Sequence, residues 1–176
     1  MAVKITNEQL GRVDAEGFKE KDKYPIVLVV DNVRSQNNIG SFFRTADAFC
    51  IEEIILCGIC ATPPSKEIHK TALGAELTVK WSYEKDSISA VNSLLERGYR
   101  VEAIEQVEGS CMLSDYKVEK GVKYAVVVGN EVNGVSQEVV DLCSGAIEIP
   151  QEGTKHSLNV SVAAGLVLWH LFNSMK

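Results

Sequence analysis

Three separated segments place polar side chains where a small molecule could be handled. The first is Asn38-x-Gly40-x-x-x-Arg44. Gly40 and Arg44 are four apart and share one helical face, which sets a guanidinium above a residue with no side chain to block an approaching backbone. An arginine so placed suits a phosphate or a ribose, although a surface arginine paired with a carboxylate has the same pattern. The second is Gly129-Asn130-Glu131-Val132-Asn133-Gly134, a carboxylate between glycines. Glu131 can accept backbone N–H groups and hold its loop, or bind ligand hydroxyls and amines, and spacing alone does not choose. The third runs from Ile149 to Ala163 and takes a polar loop into an apolar helix. Pro150 and Gly153 stop the strand before it, Ser157 is placed to cap the first turn, and Leu158, Val160, Val162 and Ala163 begin a buried run. A ligand would meet free N–H groups and the positive dipole end there, though an ordinary capped core helix reads the same way.

Positioning these segments requires an alternating α/β chain. Ile26 to Val30 is five aliphatic residues, typical of a strand covered on both faces. Ile39, Phe42, Phe43, Ala46 and Phe49 recur at helical spacing and predict a helix over 39–49. Further strands are predicted at 54–57, 77–81, 99–104, 124–128 and 146–149. Helices follow at 87–97, ended by Gly98, at 136–142, capped by Ser136, and at 157–173. The order predicts an α/β domain over 25–176, a mainly parallel sheet with helices on both faces, preceded by a short polar extension over 1–24. No internal repeat or linker divides it. The last helix is apolar around more of its circumference than a surface helix, so it is expected to pack on its own sheet on one side and on a partner subunit on the other. Ligands in such folds sit beyond the carboxyl ends of the strands, where all three segments lie, and no Gly-x-Gly-x-x-Gly dinucleotide cradle follows the first strand.

Composition narrows the class. At 176 residues and 45% hydrophobic content the chain can bury a core without staples. No apolar run is long enough to span a bilayer and the amino terminus lacks the stretch of a secretory signal, which reads as cytoplasmic. A net charge of −6 argues against nonspecific coating of nucleic acid. A focused patch is left to Arg34, Arg44 and Lys155 beside the motifs, Lys66, His69 and Lys70 in the Pro63-Pro64 loop, and Lys19, Lys21 and Lys23. Each of these is also a normal solvated face. Five cysteines suit a reducing compartment. Cys57-Gly-Ile-Cys60 has redox or metal spacing, but no second pair completes a four-ligand site, and prolines follow instead of a helix that would lower a thiol pKa. No metal is expected.

In this order the three motifs, spanning about Ile26 to Phe172, resemble those of the SpoU (TrmH-like) RNA ribose methyltransferases of the SPOUT class. Thr62-Pro-Pro through Lys70-Thr-Ala-Leu-Gly-Ala75 also looks like the linking loop of some members. The resemblance implies a carboxyl-terminal deep trefoil knot, a homodimer through the last helix, S-adenosylmethionine as cofactor, and tRNA or rRNA as substrate. Carried onto this sequence, Gly129, Asn130, Ile149, Pro150, Ser157 and Leu158 would hold the cofactor. Arg44 would act on the ribose, and Asn38, Glu131, Ser157 and Asn159 would shape the site. Arg34, Arg44, Lys70 and Lys155 are the candidate RNA contacts. Substrate choice is expected from the knot domain, the extension and the partner, since neither a long amino-terminal domain nor a carboxyl-terminal tail is seen. Alternatives are a noncatalytic RNA-binding protein of the same fold, a SPOUT enzyme methylating a base, and a thiol-redox protein built on Cys57 and Cys60.

Overall fold

A computed structural model describes every residue except Met1 and Asn7. Seven strands, all parallel, form one sheet in the order β3-β2-β1-β6-β4-β7-β5. They are β1 (Tyr24–Asp31), β2 (Ile51–Cys57), β3 (Trp81–Glu84), β4 (Tyr99–Ile104), β5 (Cys111–Met112), β6 (Lys123–Val128) and β7 (Gly145–Glu148). The aliphatic run of β1 is buried throughout and alternates between two cores. Ile26, Leu28 and Val30 join one, Val27 and Val29 the other. A strand buried on both faces has no polar side to present, hence the unbroken Val/Ile/Leu sequence.

Helices cover both faces. On the first lie α1 (Ala15–Glu20), α2 (Gln36–Phe49), α3 (Lys66–Ala72) and α6 (Val160–Met175), contributing Phe18, Phe42, Ile68 and Leu168 among others. On the second lie α4 (Ser87–Glu96) and α5 (Gln137–Val140), contributing Val91, Leu94 and Val139. Phe18 brings α1 into the main core, and Lys23 Nζ sits 3.5 Å above its ring.

Several elements differ from the sequence reading. Helix α2 starts at Gln36 rather than Ile39, because the Ser35 hydroxyl accepts the Asn38 N–H at 3.3 Å. Helix α3, read as loop, is a seven-residue helix capped by Ser65; only Ile68 and Ala72 of it are buried, too short a pattern to show periodicity. Residues 75–77 form a 3₁₀ turn and the third strand begins four residues later than expected, with Trp81 beside Ile54. Helix α6 starts at Val160. Its cap is Asn159, whose Oδ1 accepts the Ser161 N–H at 2.9 Å, and Ser157 stays exposed in the preceding loop without capping anything.

Strand order reverses between β1 and β6. From β1 the chain builds toward β2 and β3, while β6, β4, β7 and β5 lie on the other side. Val30 pairs in register with Val128, so the loops after both strands emerge side by side. A crevice at the carboxyl ends of strands at such a reversal is the standard ligand position in open α/β sheets.

Candidate active site

Glu131 joins the first two motifs. Its Oε2 and Oε1 accept the Arg34 and Ser35 N–H groups at 3.0 and 2.9 Å, and Asn38 Nδ2 donates to Oε1 at 3.1 Å. Burial alone would raise this carboxyl, but the donors from Arg34, Ser35, its own backbone and Asn38 outweigh it and hold the group below the usual carboxylate range. The third motif enters through Asn159, whose Nδ2 donates to Asn38 Oδ1 at 3.2 Å. Glu131, Asn38 and Asn159 thus form one polar chain across loops far apart in sequence. Asn130 does equivalent work: its Nδ2 donates to the Asn32 carbonyl at 2.8 Å while its Oδ1 accepts the Val132 N–H at 2.9 Å.

A residue the sequence reading passed over lies beneath this chain. Asp31, last in β1 and buried, accepts the Ser87 hydroxyl at 2.5 Å, Asn32 Nδ2 at 2.8 Å and the Ser136 N–H at 3.3 Å. It ties β1 to the starts of α4 and α5. A carboxylate ending an otherwise aliphatic strand was the available signal.

Beside the chain opens a cavity of about 550 Å³. Ile104, Ile147, Ile149 and Leu158 supply apolar wall, and Glu105, Glu131 and Glu148 bring carboxylates to it. Its bend is made of close backbone. A Cβ on Gly129 would fall 2.0 Å from the Gly134 carbonyl carbon, and one on Gly134, at φ +67°, would fall 2.1 Å from Glu105 Oε2. Glu105 is fixed there by the Val135 N–H at 2.9 Å, and Gln106 Nε2 donates to the His156 carbonyl at 3.1 Å, holding the loop that carries Ser157 over the opening. Gly129, Asn130, Ile149, Ser157, Leu158, Glu131 and Asn159 all border this space. Pro150 is exposed and does not line it.

Arg44 is elsewhere. It is exposed on α2, its side chain makes no hydrogen bond or ion pair among the described residues, and it lines a separate groove with Lys70 and Thr71. The open approach expected above Gly40 is filled. A Cβ there would meet Thr71 Oγ1 at 2.1 Å and the Ile68 carbonyl at 2.3 Å, so the backbone that comes close is that of α3. Arg34 and Lys155 are exposed, and Lys70 pairs with Glu67 at 2.7 Å on the surface.

The sequence pattern of the SpoU rRNA Methylase family matches residues 25–169, which takes in every residue of the polar chain and the cavity. The chain belongs to the SpoU methylase family. A putative TrmH family tRNA/rRNA methyltransferase of Staphylococcus saprophyticus is 30% identical over 155 residues, 88% of this chain and 61% of that protein. The chain therefore spans about three fifths of the length of such relatives. Among solved structures, the TrmH/SpoU tRNA modifying enzyme of A. aeolicus superposes with a TM-score of 0.79 at 25% identity, covering 91% of this chain and 81% of that one. An AdoMet-bound rRNA methyltransferase of Sinorhizobium meliloti shares the fold, with a TM-score of 0.80 at 24% identity over 90% of this chain and 60% of that one.

In this SpoU methylase chain the cysteine pair is core. Burial pushes the Cys57 thiol up to about 12 and the Cys60 thiol to about 11, the opposite of an activated thiolate. They bond to the Ile55 and Val30 carbonyls. Among the described residues no group of three His, Cys, Asp or Glu side chains could hold a metal, and no helix is long and apolar enough to cross a membrane.

Proposed function

We propose that this SpoU-family chain transfers a methyl group from S-adenosylmethionine to a ribose 2′-hydroxyl of tRNA or rRNA. The observation that carries this reading is the cavity at the carboxyl ends of β4, β6 and β7, whose volume lies in the range of small-molecule sites. Its walls fit that cofactor. The isoleucines and Leu158 offer apolar surface to a nucleoside base, the Gly129–Gly134 bend offers backbone groups that side chains would block, and three carboxylates suit a donor carrying positive charge. When bound, the cofactor supplies an activated methyl on a sulfonium.

The remaining chemistry belongs to the protein. Its main task is to hold a ribose oxygen in line with the donor, which for well-placed reactants is worth about 7 to 11 kcal/mol. The Glu131–Asn38–Asn159 chain fixes the loops that would do this. Arg44 would receive the adjoining phosphate and polarise the hydroxyl; a guanidinium resists deprotonation, so the phosphate or a water takes the proton. Because Arg44 does not line the cavity of its own chain, a second copy must bring it there. Helix α6 offers the surface for that. Val162, Leu166 and Trp169, on one helical stripe, are 51%, 41% and 52% exposed. The reading thus includes a homodimer through α6, a domain over 25–176 with a carboxyl-terminal deep trefoil knot, and action in the cytoplasm. The names of the Staphylococcus and A. aeolicus proteins support an RNA substrate.

Calorimetric titration with S-adenosylmethionine, followed by incubation with bulk tRNA and bulk rRNA and mass analysis of the nucleosides, tests the proposal. Heat of binding and 2′-O-methyl nucleosides are expected. Methylated bases would move the reaction to the alternative class, and no heat with folded protein would overturn the reading. Arg44→Ala should cost about 10²- to 10³-fold in kcat, the usual effect of losing a transition-state donor. Arg44→Lys keeps the charge without the planar fork; near-normal turnover from it would overturn the assigned role of Arg44.

A further inference from the structure

Residues 10–21 lie before the part of the chain that matches the family, yet they form one wall of a groove of about 700 Å³ whose other wall is α2 and the turn after α3. Three cations converge on this groove. Arg12 and Lys21 come from the arm and Arg44 from α2, and none of the three has a side-chain hydrogen bond or ion pair among the described residues. The two carboxylates that share the groove are engaged by their own neighbours. Asp14 accepts the Gly17 N–H at 2.9 Å as the cap of α1, and Asp47 accepts the Thr78 hydroxyl at 3.4 Å. Leu10, Val13 and Leu73 remain exposed along it and add apolar surface to the groove. The groove is continuous through Arg44 and Ala48 with the smaller one of about 420 Å³ that carries Lys70.

We infer that this arm is an RNA-contacting element: Arg12 and Lys21 take phosphates of the nucleotides next to the one whose ribose is presented to Arg44, and the exposed leucine and valine side chains support the bases between them. In a chain of net charge −6, a partner with a regular negative backbone is the occupant that three cations around one groove, unpaired among the described residues, select. The inference rests on the methyltransferase reading, because that reading puts a ribose at Arg44. It goes further in assigning strand recognition to a segment outside the matched domain.

The test measures affinity for bulk tRNA and for a single-stranded RNA 12-mer across a salt series, with S-adenosylmethionine calorimetry on every sample. Removing two phosphate contacts in the Arg12→Ala/Lys21→Ala double variant should reduce the slope of log affinity against log salt by about 1.4, which is about 25-fold in affinity at 0.1 M salt. Arg12→Lys and Lys21→Arg should keep the wild-type slope, and so should Lys117→Ala, far along the chain from the groove. A full wild-type slope in the double variant, with cofactor binding intact, overturns the arm's role and leaves the methyltransferase reading standing. Absence of cofactor heat in the wild type overturns that reading, while the salt slope still reports on the arm. Should the double variant melt early, Arg12→Gln alone reads the same slope with a loss of about 0.7.

Discussion

Glu131 shows how a single carboxylate holds distant loops together. Two backbone N–H groups and the Asn38 amide converge on it, all donors, so the amide of Glu131→Gln would turn its own N–H toward one of them. The variant should lose about 1 to 2 kcal/mol at neutral pH, a charged-acceptor effect discounted for the exposure of this residue. The pH dependence follows from the depressed carboxyl. The stability it contributes is complete above the ordinary value of 4.5 and is lost as pH falls through the lower folded value. Urea melts of wild type and Glu131→Gln should therefore differ most at neutral pH and converge below about pH 4.5. A constant gap down to pH 3 would mean that the carboxylate's charge is not what holds the Arg34–Asn38 loop.

At the scale of elements, the legible features were those with many residues of one kind. Five aliphatic residues wrote β1, and the spacing of Ile39, Phe42, Phe43 and Ala46 wrote the body of α2, because burial on a fixed period leaves a repeating trace. The meeting of the motifs was legible as well, since Asn38, Glu131 and Asn159 join in one polar chain. What escaped is what single contacts decide. Whether Ser157 or Asn159 caps α6 depends on which oxygen reaches an N–H, and either type serves. That Gly40 faces α3 and not a ligand depends on a neighbour, α3, whose two buried side chains were too few to announce a helix. Strand order, which puts β6 beside β1, is set by long-range pairing and has no local sign. Asn159→Ala should lower stability by about 1 kcal/mol in thermal melts, whereas Ser157→Ala should leave the melt unchanged and alter only cofactor binding. The reverse result would return the helix start to Ser157.

Over the whole molecule the cavity and Arg44 stand on two separate surfaces. The cavity that suits a methyl donor opens at the carboxyl ends of β6 and β7, while Arg44 stands exposed on α2 facing a different groove. In the proposed dimer the apolar stripe of α6 is where a second copy would dock, and a two-fold contact would use the same stripe from both sides. Trp169→Asp, which leaves the buried face of α6 alone, should give a monomer in sedimentation that still binds S-adenosylmethionine but transfers no methyl groups. Arg44→Ala damages one surface and Gly129→Ala, whose Cβ would strike the Gly134 backbone, the other. Each homodimer should be nearly inactive. A hybrid dimer has one site built from an intact cavity and an intact Arg44, and one site lacking both. Random exchange at equal concentrations makes half the dimers hybrid with one working site of two, so mixing should restore about a quarter of wild-type activity. If Arg44 instead served the cavity of its own chain, every site in the mixture would still lack one or the other, and activity would stay at the level of the separate variants however long the subunits exchanged.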